Sequence, residues 1–234
     1  LVITGTVTVY GLTAAPLARA LGLATPNPQG ALLVGAHAWA RALARALRDL
    51  KIEVVLADSN WANVAAARRE GLRALHVNVL AERALDEIPV EGLGRLLALT
   101  PNDEVNSLAA LHFREIFGRS EVYQLPSGNA GQRQEDVAPT LRGRLLFAPT
   151  ATYEELSRRF AAGATIERTT LAPEFDLEAF RRRYGDRTLP LFLLQENGNL
   201  AVFTTDRAPT PRPGQTLVHL VEPGVEASAA QPGP

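Results

Sequence analysis

The chain of 234 residues has no cysteine and no methionine, and its charges nearly cancel, with a formal net charge of −1 at pH 7. Without cysteine, disulfides, thiol nucleophiles and Cys-ligated zinc are excluded. A balanced charge gives no general attraction for a phosphate backbone, which argues against nucleic acid as a partner. Because methionine is absent even at position 1, we expect the chain to be part of a longer protein.

Long hydrophobic runs are also scarce. Residues 1–12 are apolar apart from threonines, but a complete transmembrane helix needs about 20 apolar residues. We predict that residues 1–23 are the end of a last transmembrane helix or its exit, with Arg19 on the cytoplasmic side. A buried strand or core helix is the alternative. Two prolines and a glycine in residues 24–30 predict a linker.

Strand-length apolar runs then alternate with helical patterns. The predicted strands are 31–34, 53–57, 74–77, 95–99 and 121–125, and the predicted helices between them are 39–50, 61–70, 81–87 and 104–117. Strands joined by helices favour a parallel sheet with right-handed crossovers and helices on both faces. Residues 31–127 are therefore predicted to form an α/β domain, a Rossmann-like doubly wound parallel sheet.

The remaining sequence predicts a smaller C-terminal α+β domain at residues 128–225. Strands are predicted at 145–147, 165–170, 189–195, 200–204 and 216–221, with helices at 153–162 and 177–184. Asn197-Gly198 is a typical hairpin turn between two of these strands. Residues 226–234 are rich in alanine, proline and glycine, which predicts a disordered tail.

The first strand and helix have the order of a nucleotide-binding βαβ unit. Such a unit uses three small positions, for the turn, for close approach of pyrophosphate and for helix–strand contact. Here they are Gly35, His37 and Ala40. His37 places an imidazole where phosphate normally meets bare backbone, so it has either a structural role in the turn or a direct contact with an anion at the helix N-terminus.

Asp58 ends the second strand, 23 positions after Gly35 (58 − 35). An acid at about 20 residues from the glycine motif typically binds the ribose hydroxyls of a dinucleotide. It also disfavours a 2′-phosphate, which points to NAD or an adenosine nucleotide rather than NADP. The alternative is that Asp58 caps the following helix, although Ser59 or Asn60 could do this without it.

Further polar residues follow the strands at the edge where such sheets bind ligands. We include Ser59, Asn60, Asn78, Thr100 and Asn102 in the predicted nucleotide site; turn formation and helix capping are the alternatives. Trp39 is included because an aromatic ring could stack on adenine, although packing is the more common role of such a residue.

No group of residues in the sequence indicates catalysis or metal binding. His76 and His112 occur without cysteines or suitably spaced acids, so neither predicts a metal site. An enzyme would need an acid–base or nucleophile pair that the sequence does not indicate. We therefore predict a protein that is not an enzyme.

Three segments resemble known families. Leu32, Val34 and Gly35, then VVLAD at 54–58 and LALTPNDEVN at 97–106, are similar to the N-lobe of the potassium-transport nucleotide-binding family, called RCK, KTN or TrkA-N. PGQTLVHLV at 213–221 is loosely similar to the closing strand of that family's C-lobe. Residues 4–18 resemble the exit of the last membrane helix in cation:proton antiporters.

The resemblance implies a cytoplasmic regulatory domain of a sodium or potassium:proton antiporter, at the cytoplasmic face of the cell membrane. It implies a homodimer formed through the Rossmann lobes, a transmembrane antiporter part in the same polypeptide, and an adenine nucleotide (AMP, ADP, ATP or NAD(H)) as ligand. The family's glycines correspond to Gly35 and Ala40 and its ribose acid to Asp58, whereas His37 departs from its second glycine. Alternatives are a dimerisation domain with a decayed nucleotide site and, less favoured, a NAD-dependent oxidoreductase.

Overall fold

The computed structural model describes residues 28–128 and 142–224. The predicted membrane exit at 1–23, most of the predicted linker and the predicted tail lie outside the described residues. Within the described part, every helix is too short or too polar to cross a membrane.

The first sheet has six parallel strands. They are β1 (Gly30–Val34), β2 (Val54–Asp58), β3 (Arg73–His76), β4 (Leu93–Ala98), β5 (Val122–Gln124) and β6 (Arg144–Leu145). Their order is β3-β2-β1-β4-β5-β6, and every pairing in it is parallel. The order reverses direction between β1 and β4, as in a doubly wound fold. The predicted Rossmann-like fold class is confirmed.

Five helices connect these strands: α1 (Ala38–Asp49), α2 (Trp61–Arg69), α3 (Ala84–Glu87), α4 (Asp103–His112) and α5 (Arg114–Phe117). All of β1 is buried, because each of its faces packs against a separate apolar cluster. Leu33 belongs to the cluster beneath α1 and α2, and Leu32 to the cluster beneath α3, α4 and α5. Alternation of side chains along the strand produces this division.

The second sheet is antiparallel and has the order β7-β10-β8-β9. Its strands are β7 (Thr165–Thr170), β8 (Thr188–Leu194), β9 (Leu200–Val202) and β10 (Thr216–Val221), with helices α6 (Tyr153–Ala161) and α7 (Leu177–Tyr184). Gly198 has a φ of 81° in the turn between β8 and β9, where a side chain would be strained. The predicted hairpin is therefore confirmed.

The second sheet packs on the α1 side of the first sheet. Leu33 and Leu97 of the parallel sheet share one apolar cluster with Leu191, Val202 and Val218 of the antiparallel sheet. The two sheets therefore bury each other's apolar surface, and a cleft forms wherever their edges diverge.

Two element predictions were wrong in detail. The predicted helix 104–117 is broken at Phe113, which is fully buried and stacks on Phe117 at a ring distance of 6.0 Å, so packing overrides the continuous helical pattern. The strand predicted at 145–147 in the second domain is β6, which pairs with β5 of the first sheet. Phe147, with φ 63°, then turns the chain away, and its N–H donates to Phe203 O at 2.8 Å.

Candidate functional site

The carboxyl ends of β1, β2 and β4 meet at the point where the strand order reverses. In open α/β sheets, ligands bind in the crevice at this point. The loop between β1 and α1, the end of β2 and the loop after β4 surround the crevice. We call this region the carboxyl-edge site and define it by Gly35, His37, Asp58, Thr100 and Asn102.

Gly35 allows the chain to turn sharply from β1 into α1. Its φ is 112°, which is unfavourable for a residue with a side chain, and its N–H donates to Ala57 O at 2.7 Å. A Cβ at this position would lie 3.4 Å from the His37 ring and 3.5 Å from Leu99 O. The glycine therefore provides the turn and the space in which the imidazole lies.

His37 links the start of α1 to the residue that follows β4. Its Nε2 lies 2.8 Å from Leu99 O, at the end of β4, and its Nδ1 accepts a hydrogen bond of 3.4 Å from Ala40 N in α1. Both contacts are satisfied by one neutral tautomer, with the proton on Nε2. Burial lowers the pKa of His37 below its usual value. The residue is therefore a neutral N-cap of α1, and its ring fills the position that the second glycine leaves open in a dinucleotide site.

Asp58 joins the glycine loop to α2. Its Oδ2 accepts hydrogen bonds from Ala36 N at 2.8 Å and Asn63 Nδ2 at 2.9 Å, and its Oδ1 accepts one from Asn60 N at 2.8 Å. Both carboxylate oxygens therefore have partners. Sequence reasoning missed Asn63, which could have been found by noting that it lies one turn into the helix after the acid.

The residues that follow β2 and β3 make local contacts. Asn60 is the N-cap of α2, and its side chain accepts from Ala62 N at 2.9 Å. Ser59 offers its carbonyl oxygen to His76 Nε2 at 2.9 Å, and Asn78 Oδ1 accepts from Leu80 N at 3.1 Å. These contacts correspond to turn formation and helix capping, the alternatives to nucleotide binding that the sequence left open for these residues.

A buried amide organises the loop after β4. Asn106 is fully buried; its Oδ1 accepts from Thr100 Oγ1 at 2.8 Å and Thr100 N at 3.0 Å, and its Nδ2 donates to Thr100 O at 2.9 Å. Asn102 is the N-cap of α4. Asn106 was not among the predicted site residues. The available signal was a polar amide inside a predicted helix, four residues after the N-cap Asn102, where its side chain can reach back to the preceding loop.

Trp39 corrects the predicted base-stacking role. The side chain is 4% exposed, its ring lies 6.4 Å from the ring of Phe160 and 6.0 Å from that of Tyr153, and its Nε1 donates to Ser157 Oγ at 3.2 Å. It is therefore committed to packing between α1 and α6. Ala40, fully buried beside it, supports the close contact of α1 with the sheet.

The second region also reaches the carboxyl-edge site. The ring of Tyr153, at the start of α6, lies 5.1 Å from the His37 ring in an edge-on arrangement. His37 therefore contacts β4, α1 and α6 at once. Elsewhere in the described chain, histidines and carboxylates do not assemble into any group of three or more that could hold a metal ion.

The comparisons with known proteins agree on the first region. Residues 31–125 match the family model of the TrkA-N domain, which confirms the resemblance of this segment to that domain. No curated protein sequence matches the chain.

Several solved structures resemble the chain at low sequence identity. The TrkA-N domain of inner membrane protein ybaL from Escherichia coli is 17% identical, with a TM-score of 0.42, and covers 58% of this chain and 97% of its own. The NAD(P)-binding domain of an exopolyphosphatase-related protein from Archaeoglobus fulgidus is 18% identical, with a TM-score of 0.41, covering 57% and 95%. The GsuK RCK domain is 12% identical, with a TM-score of 0.42, covering 86% of this chain and 45% of its own.

Proposed function

We propose that this chain is a regulatory, nucleotide-sensing domain of a monovalent cation:proton antiporter, at the cytoplasmic face of the membrane and paired as a homodimer through the parallel-sheet region. Two findings support the nucleotide part. Residues 31–125 match the TrkA-N domain model, and the strand order reverses between β1 and β4, which is where open α/β sheets bind ligands. The antiporter and the dimer follow from the sequence resemblance.

One observation carries the proposal. The Asp58 carboxylate lies 2.8 Å from Ala36 N in the glycine loop, so the acid for the ribose and the loop for the phosphates adjoin each other across the crevice. This is the arrangement that a nucleotide with a free 2′-hydroxyl requires. AMP, ADP, ATP and NAD(H) all carry that ribose.

A nucleotide must first displace His37. The ring occupies the space beside Gly35 where phosphate would approach the backbone, and the residues therefore fit the ribose directly but the phosphates only after the imidazole rotates away. Breaking its two hydrogen bonds costs about 1–3 kcal/mol at about 0.5–1.5 kcal/mol each. A penalty of this size weakens binding by about fivefold to about 150-fold.

The same displacement provides a route for signalling. When the His37 ring rotates away, it loses its hydrogen bond to Leu99 O and its edge-on contact with the ring of Tyr153 in α6. Nucleotide binding is thereby coupled to the packing of the second region on α1, and a ligand that prefers the displaced arrangement shifts its population.

The second candidate is a dimerisation scaffold whose nucleotide site has decayed. It is favoured by the hydrogen bonds of the carboxyl-edge site, since both nitrogens of His37 and both carboxylate oxygens of Asp58 already have protein partners. In this case the His37 imidazole always occupies the position that a phosphate group would take, and no nucleotide binds.

Calorimetric titration of the full chain with AMP, ADP, ATP, NAD and NADH separates the two. The informative variant is His37→Gly, which restores the glycine pattern. Glycine is tolerated at an N-cap, and the loss of the two imidazole hydrogen bonds lowers the free energy of unfolding by about 1–3 kcal/mol. We expect this variant to strengthen binding of at least one nucleotide by about tenfold or more, and Asp58→Ala to abolish that binding.

The controls are His76→Gly, a histidine outside the crevice that bonds Ser59 O, and thermal unfolding of each variant. Absence of binding by both the natural chain and His37→Gly would reject the sensor in favour of the scaffold. Binding that persists unchanged in a folded Asp58→Ala variant would place the nucleotide elsewhere.

A further inference from the structure

A second cleft lies at the opposite, amino edge of the parallel sheet. It is a cavity of about 960 Å³ between the start of β4, the hairpin of β8 and β9, and the loop before β10. We call it the amino-edge cavity. Its size is within the range of small-molecule sites, and it is separated from the carboxyl-edge site by the length of the strands.

Arg95 is the buried cation of this cavity. Its side chain comes from β4 and is 4% exposed as a residue. It donates to Leu200 O of β9 and, over 2.9 Å, to Gln29 Oε1. Among the described residues, its Nε has no hydrogen-bond partner, and the nearest carboxylate oxygen, on Glu121, is 4.0 Å away. A buried charge with so little compensation is unfavourable unless another partner enters.

Glu121 does not neutralise Arg95 by itself. The carboxylate is shared, since Tyr123 Oη donates to it at 3.3 Å, and its side chain is 37% exposed. Burial raises the pKa of Tyr123 to about 12, so this hydroxyl stays protonated and continues to compete for the carboxylate.

Three more arginines border the cavity. Arg144 already pairs with Asp206 at 3.2 Å and donates to Thr204 Oγ1 at 2.9 Å. Arg207 and Arg212 are exposed, and neither forms an ion pair with a described residue. The charged lining comprises these four arginines and two acids, Glu121 and Glu196. Because Asp206 already neutralises Arg144, an excess of one positive charge remains.

We propose that the amino-edge cavity binds a small organic anion that carries two or more negative charges on phosphate or carboxylate groups. The guanidinium is the side chain best suited to such oxyanions, because its N–H groups form a rigid fork that can bind two oxygens. Arg95 supplies the buried donor, and Arg207 and Arg212 supply exposed donors at the rim. The inference is independent of the nucleotide proposed at the carboxyl edge.

Gln29 connects this cavity to the segment that leads into β1. Gln29 Oε1 accepts from Arg95 and from Leu200 N at 2.7 Å, so the segment entering β1 is tied to both sheets at the cavity wall. Gly94 permits this approach, because a Cβ there would lie 1.8 Å from Pro28 O. An anion bound to Arg95 would therefore act where the preceding chain joins the fold.

The test is calorimetric titration of the full chain with ATP, fructose 1,6-bisphosphate, citrate and inorganic phosphate. The variant is Arg207→Gln with Arg212→Gln, since both side chains are exposed and the fold does not depend on them. The matched control is Arg181→Gln with Arg182→Gln, exposed on α7, which changes the net charge equally. Asp58→Ala reports separately on the carboxyl-edge site.

We expect saturable binding of at least one organic anion that weakens at least about tenfold in the rim variant and is unchanged in the α7 control and in Asp58→Ala. A preference for bisphosphate over citrate would identify a phosphate ester, and the reverse a polycarboxylate. Failure of all organic probes to bind, or equal weakening in the rim variant and the α7 control, would overturn the proposal. If binding is lost only in Asp58→Ala, the anion binds at the carboxyl-edge site and the proposal is wrong.

Discussion

At the carboxyl edge of the parallel sheet, the polar side chains of the crevice have hydrogen-bond partners; at the amino edge, a buried guanidinium keeps one N–H group, at Nε, without such a partner among the described residues. His37 and Asp58 close the crevice at the carboxyl edge with bonds to Leu99 O and Ala36 N. Arg95, from the other end of β4, has an Nε without any hydrogen bond. The usual ligand position of the fold is therefore occupied by the protein itself, whereas the cleft formed with the second sheet retains unsatisfied charge.

The difference arises from where the second sheet lies. At the carboxyl edge it contributes α6, whose Tyr153 packs against His37 and helps to exclude solvent. At the amino edge it contributes a hairpin and a loop rich in arginine and amide side chains, which line an open cavity. One added region thus closes one end of the sheet and forms a cleft at the other.

Of the substitutions that test the difference between the two edges, Asn106→Ala is expected to have the largest effect on stability. Replacing Asn106 with alanine leaves Thr100 N and Thr100 O without their partner, each at about 1–3 kcal/mol, and removes one hydrogen bond of the Thr100 hydroxyl, which still bonds Asn102. We expect Asn106→Ala to lower the free energy of unfolding by about 3–4 kcal/mol in urea. Asn78→Ala, at an exposed turn of the same edge, should lose less than about 1 kcal/mol. Equal losses would show that the carboxyl edge does not depend on its buried amide.

We expect the free energy of unfolding to fall at acidic pH because of a buried histidine in the antiparallel sheet. His219 is buried in β10 between Thr169 Oγ1 and Thr188 Oγ1, and burial lowers its pKa to about 4. The unfolded chain therefore binds the proton first, and stability falls as the pH drops from about 6.5 to about 4, by about 2–3 kcal/mol.

Chemical denaturation as a function of pH measures this effect. His219→Gln retains a hydrogen-bonding side chain but does not titrate, so its stability should vary less than that of the natural chain across the same interval. The same slope in both chains would assign the acid sensitivity to other groups.

A smaller effect is expected at Gly35. Gly35→Ala must adopt a φ of 112° and place its Cβ 3.4 Å from the His37 ring, for which we expect a loss of about 1–3 kcal/mol. Gly118→Ala is the matched control, since Gly118 has a φ of 79° but open space around its Cβ position. The excess loss at Gly35 should diminish when His37→Gly is added. Additive losses would indicate that the ring does not press on this position.

The smallest effect should follow removal of Arg95. Arg95→Met removes an under-compensated buried charge, which stabilises the fold, but it also removes the hydrogen bonds to Leu200 O and Gln29 Oε1. Because these two effects oppose each other, we expect the free energy of unfolding to change by less than about 1 kcal/mol. Equilibrium unfolding of both chains in urea tests this. A loss above about 3 kcal/mol would mean that the bonds to Leu200 O and Gln29 fully compensate the charge, and the contrast between the edges would disappear.

Much of the fold could be predicted because its signals are local. The strands around Leu33 and Leu97 are short apolar runs, the hairpin at Gly198 has a typical turn sequence, and Asn60 and Asn102 precede helices as caps. Gly35 and Asp58 were both assigned to the nucleotide site from their spacing in the sequence; the carboxyl ends of β1 and β2 lie at one edge of the sheet, but their role in binding stays a prediction.

The errors come from contacts distant in sequence. β6 pairs with β5 across a separation that periodicity does not encode, and Phe113 interrupts a helical pattern because its ring is needed in the core. Trp39 was assigned to the ligand site because it starts a helix beside the carboxyl edge, but α6, which lies more than a hundred positions further along the chain, packs against it.

The sequence by itself determined the alternation of strands and helices, the turn at Gly35 and the absence of thiol chemistry, because these depend on residue type and on neighbours along the chain. Only the tertiary structure decided that His37 would bond Leu99 O and that Arg95 would be buried beside Leu200. The reason is that burial and hydrogen-bond partners are set by segments that meet only after the two sheets pack together.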